Sequence, residues 1–329
     1  MINVIIPCFN EENSIVETIE EIRSSSNLVT KIIVVDNGSE DLTSVKARSQ
    51  GAVVIHEPLR GKGFAFRRGL TEIDQDCSLV FLVDGDFTYG INQLNLAAEK
   101  INVFGYDMVV GARVENEKSS SYRFGHKFGN KLLTQVHNFM FGMKITDSLS
   151  GWRLMSRGFA LSFSAGASRF ELETELNAHA YHLRSAVIEL PVLYRDRPQN
   201  SFSKLKTYSD GFKILRRNAN LWRSERPFIA YSFLSLPWFL SSVALLWRVL
   251  TGYLDTGLVP KFPSLIVSIG FFVIGANLWI AGIILERTNL QRVALGRYIY
   301  LQESHRSRKL DLAKSEKRNL RNRKKAEWR

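Results

Sequence analysis

The chain has 329 residues, 45% of them hydrophobic and 23% charged, which is too apolar for a disordered chain and too long for one small domain. Its net charge of +12 is lopsided: residues 287–329 hold 14 Lys/Arg against 4 Asp/Glu, a net of +10 that leaves +2 for residues 1–286. Cys8 and Cys77 are too few for a disulfide framework and suit a reducing compartment.

The opening "MINVIIPCFN" has neither a basic leader nor a small-residue cleavage site, so no signal peptide is expected and "NVIIP" reads as a first strand. "EENSIVETIEEIRSSS" then has helical spacing, "KIIVVD" is a second β-branched run, "DLTSVKARSQG" a second helix, and "LVFLVD" a further strand. This alternation predicts βαβ units on a mostly parallel sheet, the α/β class, with ligands beyond the carboxyl ends of the strands. All three strands end in polar or acidic residues: Asn10-Glu11-Glu12, Asp36-Asn37-Gly38-Ser39 and Asp84-Gly85-Asp86. Two carboxylates one residue apart on a turn can both reach one hard cation, Mg²⁺ or Mn²⁺, which would bridge the phosphates of a nucleotide. A solvated Asp-Gly turn has the same sequence, so the pair alone does not decide.

In "FELETEL", Glu171 and Glu175 share a helix face beside Glu173, a pattern more common on solvent-facing helices than in active sites. His179 and His182 have metal-like spacing but no third ligand nearby in sequence, and read as ordinary helix histidines. Residues 228–247 and 264–285 carry no charge, and each is about the 20 residues needed to cross a hydrocarbon core. Arg216, Arg217, Arg223 and Arg226 precede the first run, and Arg287 and Arg292 follow the second. By the positive-inside rule the two runs form a hairpin with both flanks cytosolic. The expected organisation is a cytosolic domain over residues 1–210, a basic juxtamembrane segment over 211–227, spans at about 228–250 and 264–286, and a basic cytosolic tail over 287–329. The tail could on charge alone be a nucleic-acid arm. Leaving a membrane span, it instead lies beside anionic headgroups, and no nucleic-acid partner is expected.

Taken together, "VIIPCFNEENSI", "IIVVDNGSEDLTS", "RGKGFAFRRGL", "VDGDFTYG" and "DMVVGARV" resemble, in order and spacing, the family-2 glycosyltransferases with a GT-A fold. "ITDSLSGWRLMSR", "FELETEL" and "LPVLYRDRPQNSFSKL" resemble its polyprenyl-phosphate branch, the dolichyl-phosphate mannose synthase type, and the two apolar runs followed by "LGRYIY" look like the anchor of bacterial members. The resemblance covers roughly residues 3–300. It implies a GT-A domain followed by a two-helix transmembrane hairpin. It also implies an inverting, metal-dependent enzyme that moves a sugar from a UDP- or GDP-linked donor to a polyprenyl phosphate of undecaprenyl or dolichyl type.

Carried over residue by residue, the resemblance makes Asp36 a contact to the base and Asp84 and Asp86 the ligands of metal and diphosphate. Pro7, Asn10, Glu12 and Gly38 line the donor pocket; Lys62, Gly63 and Arg113 also bind the donor, with Gly61 and Arg67 on the same basic loop. Asp147 joins Asp86 as a catalytic candidate, because other branches would use it as a base against a hydroxyl. Arg123, Arg153, Arg195, Ser203 and Lys204 are the expected acceptor-phosphate contacts, with Arg197, Ser201 and Lys206 in the same basic segment. The chain departs from many relatives at Asn37, where they have Asp, and at Thr88, where they have Gln. The rivals are a transferase acting on a glycan or protein hydroxyl and a silent nucleotide-sugar-binding scaffold. A processive synthase would show more spans and a Q-x-x-R-W motif, which this sequence lacks. A homo-oligomer is compatible with the sequence.

Overall fold

The computed structural model describes residues 1–115, 134, 135, 138, 145–163, 172–195, 223, 226–259 and 261–327. Strand β1 (Ile2–Cys8) leads to α1 (Ile15–Ser25), β2 (Val29–Asp36), α2 (Thr43–Ser49), β3 (Val53–His56), α3 (Lys62–Leu70), β4 (Leu79–Leu82) and α4 (Leu94–Asn102). Then come β5 (Met108–Glu115), β6 (Arg153–Ser156), α5 (Arg157–Ser162), α6 (Leu172–Leu183), β7 (Val187–Tyr194), α7 (Pro227–Thr256) and α8 (Phe262–Glu327).

The strands form one seven-stranded sheet in the order β3-β2-β1-β4-β6-β5-β7. The first four are mutually parallel, as the alternation of runs predicts, and β5 pairs parallel to β7. Strand β6 lies antiparallel between β4 and β5. The central strands read as unbroken apolar runs because both faces are covered. Side chains alternate: Val4, Ile6 and Phe81 face α1 and α4, whereas Ile5, Val80 and Leu82 face α3, α5 and α6. The first core is tied to β6 by Phe81, whose ring meets Trp152 edge-on at 4.8 Å. Gly111 is required in β5, because a Cβ there would lie 2.9 Å from both the Trp152 ring and Val192.

Two units separate, residues 1–207 with 295–329 and residues 208–294. Within the first, the stretch of α8 beyond Leu295 packs on the α5 side of the sheet. The Tyr300 hydroxyl donates to Asp107 at 2.7 Å, and Arg157 meets Glu303 at 3.1 Å. Gly158 permits the approach, since a Cβ there would stand 2.6 Å from Ser304 Oγ and 3.2 Å from the Tyr300 carbonyl. The segment "LGRYIY", which reads in sequence as the end of an anchor, is therefore also part of the sheet domain's packing.

In the second unit, α7 and α8 are long and apolar enough to cross a membrane, with mean hydropathy 1.7 and 2.1. Only 11% and 17% of their most apolar windows are buried, unlike the core helices of a soluble domain. Ser268, Gly275 and Gly282, seven residues apart, form the contact face of α8. Ser242 and Ser268 each donate a hydroxyl to the other's carbonyl, at 2.8 and 3.0 Å. Phe239 lies on Gly275, and the backbone of Phe228 and the Cβ of Tyr231 lie on Gly282. Small residues and paired hydroxyls of this kind hold helices together where no hydrophobic gradient exists between them.

Phe81→Ala removes the fully buried ring that joins β4 to Trp152. Its expected cost is about 3–5 kcal/mol, read as a lower thermal midpoint in detergent with the helical hairpin intact.

Candidate active site

The carboxyl ends of β1, β2 and β4 meet on one side of the sheet. Strand β4 runs into Asp84-Gly85-Asp86. A Cβ at Gly85 would fall 2.7 Å from Cys8 Sγ, so the glycine lets the turn sit against β1. The Gly85 carbonyl accepts from Ser14 at 2.9 Å, at the start of α1. Asp86 is buried, with Oδ1 accepting the Thr88 amide at 3.2 Å and hydroxyl at 2.6 Å. Between them Phe87 adopts φ +59°, the left-handed region that non-glycine residues seldom occupy outside functional sites.

Lys62, the first residue of α3, reaches into this turn. Its Nζ lies 2.5 Å from Asp84 Oδ1 and 2.5 Å from Glu173 Oε1 of α6. Burial alone would lower the lysine pKa, but the two carboxylates outweigh it and raise the group above its ordinary value. Gly151 makes room for the triad: its amide donates to the Tyr89 hydroxyl at 2.9 Å, and a Cβ there would collide with the Asp84 carboxylate.

The turn is fastened to the end of β7. The Arg195 amide donates to the Thr88 carbonyl at 2.7 Å, and the Gly90 amide to the Leu193 carbonyl at 2.8 Å. The Arg195 guanidinium lies over the Phe87 ring and is held by both oxygens of Glu21 at 2.6 and 2.8 Å. Glu21 also accepts the Ile91 amide at 3.1 Å. Burial pushes the Glu21 carboxyl up, but the bonds from Arg195 and Ile91 prevail and hold it below the usual range.

A second buried pair lies on β5. Arg113 grips Asp147 with Nε at 2.6 Å and Nη2 at 2.7 Å, and its amide adds a third bond at 3.2 Å. The Asp147 amide donates to Glu189 of β7 at 3.0 Å. Arg153 is fully buried at the head of β6, and its donors go to the Ser148 and Ser150 carbonyls and to Asn177 at 2.7–3.1 Å. In this position it shapes the loop that carries Asp147 to Gly151.

At the carboxyl end of β2, Asp36 accepts from the Ser44 hydroxyl at 2.5 Å and the Ser39 amide at 2.8 Å. Burial raises this carboxyl, and those bonds, with His56 nearby, bring it below its ordinary value. Asn10, at φ +55°, accepts from the Glu40 amide, and Glu12 accepts from the Leu42 amide. Gly38 takes φ +84°, Pro7 pairs with Val35, and Gly63 is buried in the first turn of α3. Asn10, Glu12, Asp36 and Gly38 are thus brought together where the β1 and β2 loops are laced to each other. Arg123, Ser203 and Lys204 lie outside the described residues, as do Arg197, Ser201 and Lys206 of the basic segment. His179 bonds Ser162 at 2.9 Å and packs edge-on between Phe159 and Phe163, an ordinary packed histidine. Sequence reading missed Glu21, which carries no motif and shares its helix with two other glutamates. It also missed the role of Gly151, although "SGW" marks a glycine beside a buried aromatic.

Among the described residues no three His, Cys, Asp or Glu side chains converge as a metal cage. Asp84 and Asp86 nevertheless form an all-oxygen pair suited to Mg²⁺ or Mn²⁺, which commonly binds through one or two carboxylates with phosphates and water completing the shell.

A doubly flanked, mostly parallel sheet with Asp-Gly-Asp at the end of a central strand is the arrangement of the GT-A fold. The Glycosyl transferase family 2 profile matches residues 3–161. An uncharacterised protein of Shigella flexneri is 36% identical over 157 residues, 48% of this chain and 96% of that one. A dolichyl-phosphate hexose transferase of Haloferax volcanii is 27% identical over 223 residues, 68% of this chain and 94% of its own. Among solved structures, glucosyl-3-phosphoglycerate synthase of Mycobacterium tuberculosis, in complex with Mn²⁺, UDP and glucosyl-3-phosphoglycerate, matches with TM-score 0.51 at 23% identity. The match covers 68% of this chain and 78% of that one. This chain belongs to glycosyl transferase family 2.

Because the Glu21 carboxyl is held low, its contribution to stability is present above the unfolded value of about 4.3 and is lost as pH falls through the folded one. Glu21→Gln is therefore expected to melt several degrees below the wild type at pH 7, with the two melting curves converging in acid once the carboxyl is protonated in both states.

Proposed function

We propose that the protein transfers a sugar, with inversion, from a UDP- or GDP-linked donor to a polyprenyl phosphate at the cytosolic membrane face, giving a lipid-linked sugar. The observation that carries this reading is the Arg113–Asp147 clamp. A hydroxyl acceptor must lose its proton to a general base, and Asp147 is the residue that would be cast for that task. With both carboxylate oxygens on a guanidinium, Asp147 is a poor proton acceptor. A phosphate monoester needs none: its second pKa is about 6, so at pH 7 it is already largely a dianion.

In this reading an acceptor phosphate oxygen attacks the anomeric carbon, the bond from that carbon to the donor's β-phosphate oxygen breaks, and the nucleoside diphosphate leaves with the electron pair. Asp84 and Asp86 would hold Mg²⁺ or Mn²⁺, which supplies neutralising charge to the departing diphosphate. Lys62 stands beside Asp84 and presents a fixed cation to the same phosphates. Asp36 contacts the base, and Asn10, Glu12 and Gly38 shape the pocket around the nucleoside. Arg123 is assigned to the acceptor phosphate together with Ser203 and Lys204, the last two in a basic stretch that precedes the first apolar helix. The alignment with a dolichyl-phosphate hexose transferase over most of both chains supports the lipid acceptor.

The spans form a hairpin with the sheet domain and the tail on the cytosolic side. The arginines flanking both apolar runs support this orientation. So does the packing of Tyr300 and Glu303 against Asp107 and Arg157, which keeps the segment after the second run with the sheet domain.

Radiolabelled nucleotide sugar incubated with membranes and added polyprenyl phosphate should yield an organic-extractable, acid-labile lipid. EDTA or Asp86→Ala should reduce that label at least a hundredfold. Label confined to water-soluble glycan, indifferent to added polyprenyl phosphate, would instead favour a hydroxyl acceptor with Asp147 released from Arg113.

For the topology, a cysteine-reactive, membrane-impermeant reagent applied to intact cells should label a cysteine placed at Asp255. It should not label one placed near residue 329, and external labelling of that tail would sink the hairpin.

A further inference from the structure

Asn37 follows β2 directly, where the resemblance to relatives leads one to expect aspartate. The structure gives its side chain three bonds, all to the backbone of one loop. Nδ2 donates to the Glu57 carbonyl at 3.0 Å and to the Leu59 carbonyl at 2.7 Å, and Oδ1 accepts the Gly61 amide at 2.6 Å. That loop joins β3 to α3. It ends in Gly61, at φ +146°, a conformation open to glycine and strained for other residues. The next residue is Lys62, whose ammonium is held between Asp84 and Glu173. The Asn37 amide itself donates to the Cys8 carbonyl at 2.9 Å, so the residue is fixed to the sheet at one end and grips the loop at the other.

We infer that Asn37 is the positioning residue of the Lys62 loop: its carboxamide templates the backbone that delivers Lys62 to the donor's diphosphate. The chemistry requires an amide. A carboxylate can accept the Gly61 amide but has no hydrogen for the two carbonyls, and as an anion it would face both across about 3 Å. An aspartate here would either take up a proton or push the loop away. The residue at this position therefore sets the loop's pose, and its choice is matched to this loop's carbonyls rather than to the base.

The inference rests on the nucleotide-sugar donor reading, and the test separates the two. Hydrogen exchange over residues 57–61 is measured on the full-length protein in nanodiscs with no nucleotide, and UDP and GDP binding by calorimetry with Mn²⁺, at pH 7.5 and 5.5. For Asn37→Asp at pH 7.5, loop exchange should exceed wild type, and the dissociation constant of whichever nucleotide the wild type binds should rise about tenfold or more, for two lost hydrogen bonds. Both deficits should shrink at pH 5.5, where the introduced carboxyl takes a proton and recovers one donor. Asn37→Ala, which loses all three bonds without adding charge, should loosen the loop equally at both pH values. Wild-type exchange and affinity in Asn37→Asp, or a deficit independent of pH, would overturn the assignment. A wild-type protein that binds neither nucleotide would overturn the donor reading on which it rests.

Discussion

The site depends on one constraint: carboxylates gathered at the carboxyl ends of parallel strands must be neutralised where water is scarce. Lys62 does this most directly, held at 2.5 Å from both Asp84 and Glu173. Leaving either partner unpaired would strand a buried charge, which costs more than the intact pair contributes. The same rule recurs nearby. Arg113 answers Asp147, and Arg195 answers Glu21, each through a two-pronged guanidinium contact. Those three cations come from α3, β5 and the end of β7, so the pairs also tie together segments that are far apart in sequence.

Much of the fold was legible because parallel strands buried on both faces must be continuously apolar, and their ends must be polar. "NVIIP", "KIIVVD" and "LVFLVD" met both conditions. The antiparallel insertion of β6 did not announce itself: Arg153–Ser156 is four residues long and opens on an arginine, and it is a strand only because β4 and β5 flank it. Arg153 was expected at an acceptor phosphate from its motif. Its burial is set by Ser148, Ser150 and Asn177, which lie on a loop and a separate helix, and no local pattern encodes that convergence. Tyr300 and Glu303 were hidden for a related reason. A helix that continues from an apolar run shows its periodicity in sequence, but not which domain receives its polar face.

The candidate site divides along the same line. Asp36, Asp84 and Asp86 could be located from sequence because strand ends fix their positions to within a residue. What each carboxylate does could not, since that depends on its partner. Asp147 was a catalytic candidate because other branches of the family would use it as a base, and in the structure both its carboxylate oxygens accept from Arg113. Thr88 read as a departure from relatives that have Gln there. In the structure its hydroxyl and amide both bond Asp86, closing the turn from within at a cost of one backbone residue, Phe87, in a strained conformation. The stacked guanidinium of Arg195 over that ring, fixed in turn by Glu21, offsets the strain.

Charge balance connects these pairs to the proposed chemistry. Around the crevice, Asp36, Asp84, Asp86, Asp147, Glu21 and Glu173 face Lys62, Arg113, Arg153 and Arg195, so these six acidic groups outnumber the four cations that answer them. A nucleoside diphosphate and a dianionic acceptor would bring further negative charge into the same space. Like charges a few ångströms apart, screened poorly in a partly closed site, repel strongly. The proposed reaction would therefore need added positive charge on both sides of the anomeric carbon, from two sources that differ in kind. On the donor side, the Asp84–Asp86 pair is of the type that takes up a divalent cation, with Lys62 adjoining it. In the proposed reaction the acceptor's charge would fall to the basic residues Arg195, Arg197, Lys204 and Lys206, of which Arg195 is fastened to the Asp84–Asp86 turn through Thr88 and Phe87. On the proposed reading such a site would have more use for cations than for a base, which would join the clamp on Asp147 and the acidic turn at Asp84 in one design.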